Sequence, residues 1–319
     1  MTIDIRNMTG NDLPDVKRVD QFCWNDLIER SHGLRTKLSQ RTDENVLSYF
    51  DANPEGAFVA EDGNVGLVGT CFSHIWGRTG WVGPLSILPS YQAQGIGKEL
   101  LKCSITHLED SGCADIGLET MPENTTNMGL YLKKGFRPEG LILILGKKLD
   151  LRELDEEPSG EVSIERYSES SIKEHLRSQV RRISNALRKG LDYSGELVLT
   201  ERFALGETLM ATSEGKVVAF SVVHTLPRRL SSPQASIRVL GVDPDLKSDA
   251  LQPLLASSEL MAADEGMGEL TIAIPSVCKR ALASVFSRYY AVTQSFERMM
   301  WSGSSGMDET ACNLCSWSG

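Results

Sequence analysis

The amino-acid sequence predicts a mixed α/β protein that consists of two tandem copies of one fold. Three observations support this prediction. The same order of strand and helix patterns occurs twice, matching positions lie a nearly constant number of residues apart, and an acidic segment separates the two copies. The length of 319 residues fits two domains of ordinary size.

Each copy opens with a short strand pattern, over residues 3–6 and 162–165, and continues into helical sequence. A hairpin signature comes next, with its turn at Gly63 in the first copy and at Gly215 in the second. The full order in each copy is strand, helix, hairpin, strand, helix, strand, helix and strand. This order indicates a mixed sheet with helices on its faces.

The later elements keep the same spacing. The matching pairs are the prolines Pro89 and Pro244, the apolar helical segments 97–110 and 250–265, the short strand patterns 116–120 and 270–274, and the prolines Pro122 and Pro275. The offset is 152 residues for the hairpin glycines, 155 for the first pair of prolines and 153 for the second. Near-constant offsets over several elements indicate an internal duplication.

The boundary between the copies is acidic and contains proline and glycine, as exposed linkers often do. We therefore expect one domain over residues 1–150, a linker over 151–161, a second domain over 162–302 and a tail over 303–319.

Composition limits the function classes. The net charge is −10, from 33 Lys and Arg against 43 Asp and Glu, and it is spread evenly over the two copies. An evenly acidic chain is a poor partner for a phosphate backbone or an anionic membrane, so we expect neither nucleic-acid nor membrane binding. The first residues do not resemble a signal peptide, and no apolar run approaches the ~18 residues of a transmembrane helix, so we expect a cytoplasmic protein.

The cysteine count indicates free thiols in a reducing compartment, because seven is an odd number and five of them are scattered in apolar sequence. Cys312 and Cys315 form one CxxC pair. A zinc site needs about four ligands and no second ligand pair is present, so we expect no metal. A redox role for the pair stays open.

One turn points to anion binding. The strand pattern over 81–88 runs through Pro89 into the motif QxxGxG at residues 92–97, where a helix begins. The first N–H groups of a helix lack partners within it, and glycines let an anion approach the backbone, so a pyrophosphate would fit. The Walker pattern would need glycine in place of Gln92, and the Rossmann pattern would need it in place of Leu100.

A second motif, NxxxxxxYxxxGF at residues 124–136, follows the next helix and strand patterns. The two motifs in this order resemble the GNAT superfamily of acyl-CoA-dependent N-acetyltransferases, over roughly residues 1–150. The resemblance implies a V-shaped sheet in each copy, with acetyl-CoA as co-substrate between the strands 81–88 and 116–120. It implies that the following residues bind the cofactor: Leu85, Ser86, Ile87, Gln92, Ala93, Gln94, Gly95, Ile96, Gly97, Lys98, Asn124 and Asn127.

The resemblance also implies direct transfer of acetyl to a primary amine, either a small molecule or a peptide N-terminus. Glu119 is the implied base, acting through a water, and Tyr131 is the implied acid for the departing thiolate. The position of Glu119 resembles the branch that acetylates protein N-termini. On the residues alone, other roles stay open: a rim carboxylate for Glu119, a packed tyrosine for Tyr131 and a helix N-cap for Asn124.

The second copy departs from both motifs. Ala250 and Gln252 stand near the positions of the two glycines, and Val285 stands near that of the tyrosine. We expect this copy to keep the fold without binding acetyl-CoA. An alternative function for the whole chain is a CoA-binding sensor or interaction protein without turnover.

Aromatic and acidic residues lie where the resemblance implies the acceptor site, between the first helices and the hairpin. They would suit a cation with an apolar part, but the aromatics could equally pack the helices onto the sheet. The residues of this region are Phe22, Trp24, Asp26, Glu29, His32, Trp76 and Trp81.

Overall fold

The computed structural model describes residues 3–33, 37–150, 162–229, 233–245, 249–309 and 313–315. The predicted linker 151–161 and Cys312 lie outside the described residues, so the predicted domain boundary stays a prediction.

The first half of the chain folds in the predicted order. Its elements are β1 (Ile3–Asn7), α1 (Leu13–His32), α2 (Asp43–Ala52), β2 (Ala57–Asp62), β3 (Gly66–Trp76), β4 (Thr79–Ile87), α3 (Ile96–Asp110), β5 (Asp115–Thr120), α4 (Thr125–Lys134) and β6 (Arg137–Lys148).

The second half repeats this order element by element. Its elements are β7 (Ser163–Arg166), α5 (Lys173–Leu187), α6 (Ser194–Arg202), β8 (Gly206–Ser213), β9 (Lys216–His224), β10 (Gln234–Val242), α7 (Leu251–Asp264), β11 (Glu269–Pro275), α8 (Lys279–Ser287) and β12 (Ala291–Ser302). The tail contains one further strand, β13 (Asn313–Cys315). The predicted mixed α/β duplication is therefore confirmed.

All of these strands belong to one sheet, in the order β1-β2-β3-β4-β5-β12-β6-β11-β10-β9-β8-β7, with β13 beside β10. The two halves exchange strands at its centre. β12 of the second half lies between β5 and β6 of the first, and β6 lies between β12 and β11. Each half thus depends on a strand of the other to complete its sheet.

The parallel pairs β4–β5 and β10–β11 occupy matching places in the two halves. β4 pairs with β5 only over residues 79–82, and β10 pairs with β11 only over residues 234–237, so both pairs separate further along. In the second half, β13 runs antiparallel to β10 at residues 239–241 and fills this splay. No described strand does the same beside residues 85–87 of β4.

The helices cover the sheet with apolar faces. α3 buries Leu100, Leu101 and Leu108 against the sheet of the first half. A separate cluster between the halves contains Trp81 and Tyr193, both fully buried. Among the described residues, no helix is long and apolar enough to cross a membrane.

Candidate functional site

The predicted phosphate turn joins β4 to α3. Gly95 is the N-cap of α3 with φ 88°, in the left-handed region that favours glycine. The amides of residues 93–97 donate no hydrogen bond to any other described residue, whereas Lys98 N donates to Gly95 O at 3.0 Å. The turn therefore presents consecutive unused N–H groups at the positive end of a 15-residue helix.

Two predicted cofactor-binding side chains instead stabilise the turn itself. The Gln92 amide nitrogen donates to Ile87 O at 3.0 Å, and that of Gln94 donates to Ser90 O at 3.0 Å. The first bond ties the turn to the last residue of β4, and the second lies within the turn.

α4 carries the second motif. Asn124 is its N-cap and accepts from Asn127 N at 3.1 Å, so the open N-cap alternative for Asn124 agrees with the structure. Tyr131 is 6% exposed and meets Phe136 edge-on, with ring centroids 5.7 Å apart. Burial raises the pKa of the Tyr131 phenol, and the neighbouring Cys71 adds to the shift. Its hydroxyl makes no hydrogen bond to a described residue and keeps its proton at neutral pH.

A cavity of about 250 Å³ lies between the C-terminal end of α1 and the start of α4. Its lining consists of Leu27, Arg30, Glu123, Asn124, Thr125 and Thr126. This cavity borders the N-terminal end of the helix that carries Tyr131.

Glu119 lies on β5 and forms a buried ion pair across the strand exchange. Its Oε1 accepts from Arg298 Nε at 3.0 Å and from Nη2 at 2.6 Å. The two side chains are 0% and 2% exposed, so Glu119 is not a carboxylate of the cleft rim. Burial opposes the charge of Arg298, but Glu119 outweighs burial and raises the pKa of the guanidinium.

Arg298 is the functional neighbour that sequence reasoning missed. It comes from β12, lies 5.3 Å from the centre of the Trp81 ring and donates from Nη2 to Cys315 O at 3.5 Å. The available signal was an arginine directly before the apolar residues Met299 and Met300, because a buried charge needs a partner. Its pairing with Glu119 was not readable from local sequence.

The structure does not bring the predicted acceptor residues together at one surface. Trp76 and Trp81 are buried in the cluster between the halves, whereas Phe22 is 56% exposed on α1. Trp24, Asp26 and Glu29 also lie on α1. The side chain of His32 lies outside the described residues.

Among the described residues that match the turn, 249–252 in the second half contain no glycine. α7 begins after Ala250, and Gln252 donates to Ser284 O at 3.3 Å, which ties it to α8. Leu314 of β13 is 1% exposed within the core of this half. Tyr193 donates its hydroxyl proton to Asn313 at 3.0 Å. The tail strand is therefore bonded and packed within this half.

Among the described residues, no three His, Cys, Asp or Glu side chains are grouped as metal ligands. Burial raises the pKa of the Cys315 thiol to about 11, so this thiol stays protonated at neutral pH.

Comparisons with known proteins agree with this geometry. A sequence profile described as the acetyltransferase (GNAT) family matches residues 22–136. The chain is 31% identical over 109 residues to N-alpha-acetyltransferase 30 of Schizosaccharomyces pombe, covering 32% of this chain and 72% of that protein. It is 30% identical over 131 residues to mycothiol acetyltransferase of Saccharopolyspora erythraea, covering 40% of this chain and 41% of that protein. The chain thus matches less than half the length of the second relative.

Solved structures extend the likeness of fold to both halves. A tandem GNAT protein from the clavulanic acid biosynthesis pathway matches with a TM-score of 0.63 and 13% identity, over 95% of this chain and 100% of that chain. A GCN5-related N-acetyltransferase from Sphaerobacter thermophilus matches with a TM-score of 0.62 and 13% identity, over 99% of this chain and 98% of that chain. The chain therefore belongs to the GNAT acetyltransferase family and contains two GNAT folds in tandem.

Proposed function

We propose that the chain is an acetyl-CoA-dependent N-acetyltransferase whose reaction takes place in the first half. The observation that carries the proposal is the turn at residues 93–97, whose unused amides closely follow the uncovered end of β4 and are tied to it through Gln92. The pyrophosphate of acetyl-CoA binds these amides, helped by the charge of Lys98. The pantetheine arm lies along Leu85, Ser86 and Ile87 as a short extra strand, with Asn124 and Asn127 beside it.

In the proposed reaction the acceptor amine loses a proton and attacks the thioester carbonyl directly. A backbone N–H near Ile87 stabilises the tetrahedral oxyanion. Glu119 receives the amine proton through a water, and Arg298 holds its carboxylate in place. The C–S bond then breaks, and Tyr131 donates to the sulfur that leaves.

The burial of Tyr131 makes full transfer of its proton to the leaving sulfur unfavourable. A thiol has a reference pKa of ~8.5 and a phenol of ~10, and burial raises the pKa of Tyr131 further. Proton transfer from this phenol to a finished thiolate is therefore uphill. Tyr131 acts mainly by hydrogen bonding to the sulfur while negative charge develops on it.

The second half is proposed to bind no acetyl-CoA. Its cleft edge at residues 239–241 of β10 already pairs with β13, in the place that pantetheine takes along β4. In the first half, no described strand covers residues 85–87 of β4 on the side that faces β5. We expect one acetyl-CoA per chain.

The substitution Gly95→Glu tests which half binds the cofactor. A side chain at φ 88° is strained, and its carboxylate would repel the pyrophosphate, so CoA binding measured by calorimetry is expected to weaken at least ~100-fold. Gln252→Glu, the matched change in the second half, should leave the affinity within about twofold. Stoichiometric binding retained in Gly95→Glu would contradict the proposed site.

Glu119→Gln tests the base. At pH 7 we expect kcat/KM to fall at least ~10-fold, with the loss shrinking as the pH approaches the pKa of the acceptor amine, because a free amine needs no base. Glu109→Gln, on the far end of α3, serves as control. A loss that is constant with pH would assign Glu119 a structural role through Arg298.

The competing function is a CoA-binding sensor without turnover. A panel of primary amines and peptides with acetyl-CoA, followed by release of free thiol, separates the two functions. CoA binding without thiol release for any amine would favour the sensor.

A further inference from the structure

Four arginines lie together between the two halves, on the α1 and α2 side of the sheet. They are Arg41, which precedes α2, Arg228 and Arg229, which follow β9, and Arg238 on β10. We call this group the arginine cluster. Backbone contacts hold its two sides together, because Arg41 and Arg229 form an isolated β-bridge and Thr42 N donates to Arg228 O at 3.0 Å.

Asp20 and Glu196 are carboxylates that contact the cluster. Asp20 accepts from Arg41 at 3.0 Å and also pairs with Arg229. Glu196 lies 3.7 Å from Arg238. Asp20, Glu196, Arg41 and Arg238 are all less than 8% exposed. Like charges at this depth repel strongly unless each is balanced by an anion.

Arg228 is the member without a described partner. Its guanidinium makes no hydrogen bond or ion pair to any residue within the described ranges, and the side chain is only partly exposed. Burial lowers the pKa of Arg228, and repulsion from Arg41, Arg238 and Arg229 lowers it further against the attraction of Tyr49. A guanidinium in this setting can donate hydrogen bonds to an anion, and its positive charge can be neutralised by that anion.

The Tyr49 phenol faces the same cluster. Arg41 Nη1 lies 3.5 Å from its hydroxyl oxygen. Burial alone would raise the pKa of Tyr49, but the charges of Arg41, Arg228 and Arg238 outweigh it and lower the pKa. The field at this point therefore favours an anion.

The cluster also adjoins the proposed acetyl site. Tyr49 meets His74 edge-on, with ring centroids 5.0 Å apart. His74 Nε2 donates to Gly83 O at 2.9 Å, two residues before the cofactor edge at Leu85. Burial and the charges of Arg238 and Arg41 lower the pKa of His74 to about 3, so the imidazole is neutral and adds no further positive charge.

We infer that the arginine cluster binds the carboxylate of the acceptor, and that the acceptor is an amine that carries an acidic group. This inference rests on the proposed function and names its substrate class. The carboxylate lies against Arg228 and Tyr49, and the amine points along β3 and β4 toward the thioester. It adds an acidic group to the earlier expectation, drawn from the aromatic and acidic residues of the acceptor region, that the acceptor is a cation with an apolar part.

The first experiment uses matched amines. Amino acids and their carboxamides, which differ in the carboxylate, are assayed with acetyl-CoA, together with ethanolamine and O-phosphoethanolamine. We expect kcat/KM for the best amino acid to exceed that for its carboxamide at least ~10-fold. Arg228→Gln should reduce this ratio to about one while CoA affinity stays unchanged. Equal rates for acid and amide in the wild type would overturn the inference, and a preference for only the phosphorylated amine would replace the carboxylate with a phosphate.

The second experiment needs no turnover. Sulfate should raise the Tm of the wild type and have a clearly smaller effect on Arg228→Gln. In buffer of low anion content, Arg228→Gln should unfold no lower than the wild type, because it removes repulsion. Arg202→Gln is the matched control, since Arg202 pairs with Asp51 at the surface.

Together, the two experiments distinguish failure of the inferred anion site from failure of the proposed acetyltransferase activity. A sulfate effect that survives in Arg228→Gln, or a Tm well below that of Arg202→Gln, would show that Arg228 only stabilises the interface and would overturn the inference. If no amine is acetylated while the sulfate effect is lost in Arg228→Gln, the anion site stands and the proposed acetyltransferase activity fails.

Discussion

Replacing Arg298 by methionine is expected to lower the free energy of unfolding by about 3–5 kcal/mol, because it leaves the Glu119 carboxylate buried without its counter-charge. Glu119 lies on β5 of the first half and Arg298 on β12 of the second, so the substitution weakens the contact that joins the two halves. Urea unfolding followed by circular dichroism measures it.

The double variant Glu119→Leu with Arg298→Met should recover most of this loss, since an apolar pair of similar volume needs no counter-charge. Arg202→Met, at an exposed pair on α6, should change stability by less than about 0.5 kcal/mol. If Arg298→Met destabilises no more than Arg202→Met, the buried pair does not hold the halves together.

Tyr131→Phe is expected to lower kcat by ~10²–10⁴-fold with little change in the KM for acetyl-CoA. The ring stays packed against Phe136 and only the hydroxyl is removed, so the cofactor site keeps its shape. Because burial raises the pKa of this phenol above its ordinary value, its ionisation should cause no alkaline fall in kcat below pH ~10.

Tyr290→Phe is the matched control, because Tyr290 is equally buried but lies in the second half. Its kcat should stay within about threefold of the wild type. A kcat of Tyr131→Phe that is also within about threefold of the wild type would show that the hydroxyl takes no part in the reaction and that Tyr131 is a packing residue.

Much of the fold could be predicted from the sequence. Hairpin turns at Gly63 and Gly215, prolines after matching strands and amphipathic helices are local signals, and they gave the order of elements and the duplication. The phosphate turn was also predictable, because glycine at Gly95 satisfies a left-handed backbone position that the chain needs there.

The strand exchange could not be predicted in the same way. β6 and β12 are both 12 residues long, and each could complete the sheet of its own half. The pairing partner of a strand depends on long-range contacts, and local sequence patterns do not contain this information. The ion pair of Glu119 with Arg298 follows from that exchange, since β12 lies beside β5.

The sequence by itself determined the family of folds, the duplication and which half carries the glycine turn at residues 92–97, because these depend on residue types at fixed local spacing. Only the tertiary structure decided that β13 fills the second cleft, that Glu119 is paired, and that Arg41, Arg228, Arg229 and Arg238 meet in one cluster. Those features join residues far apart in the chain, with 74 positions between Leu240 and Leu314 and 179 between Glu119 and Arg298. Their energies arise from burial and charge that exist only once the halves pack together.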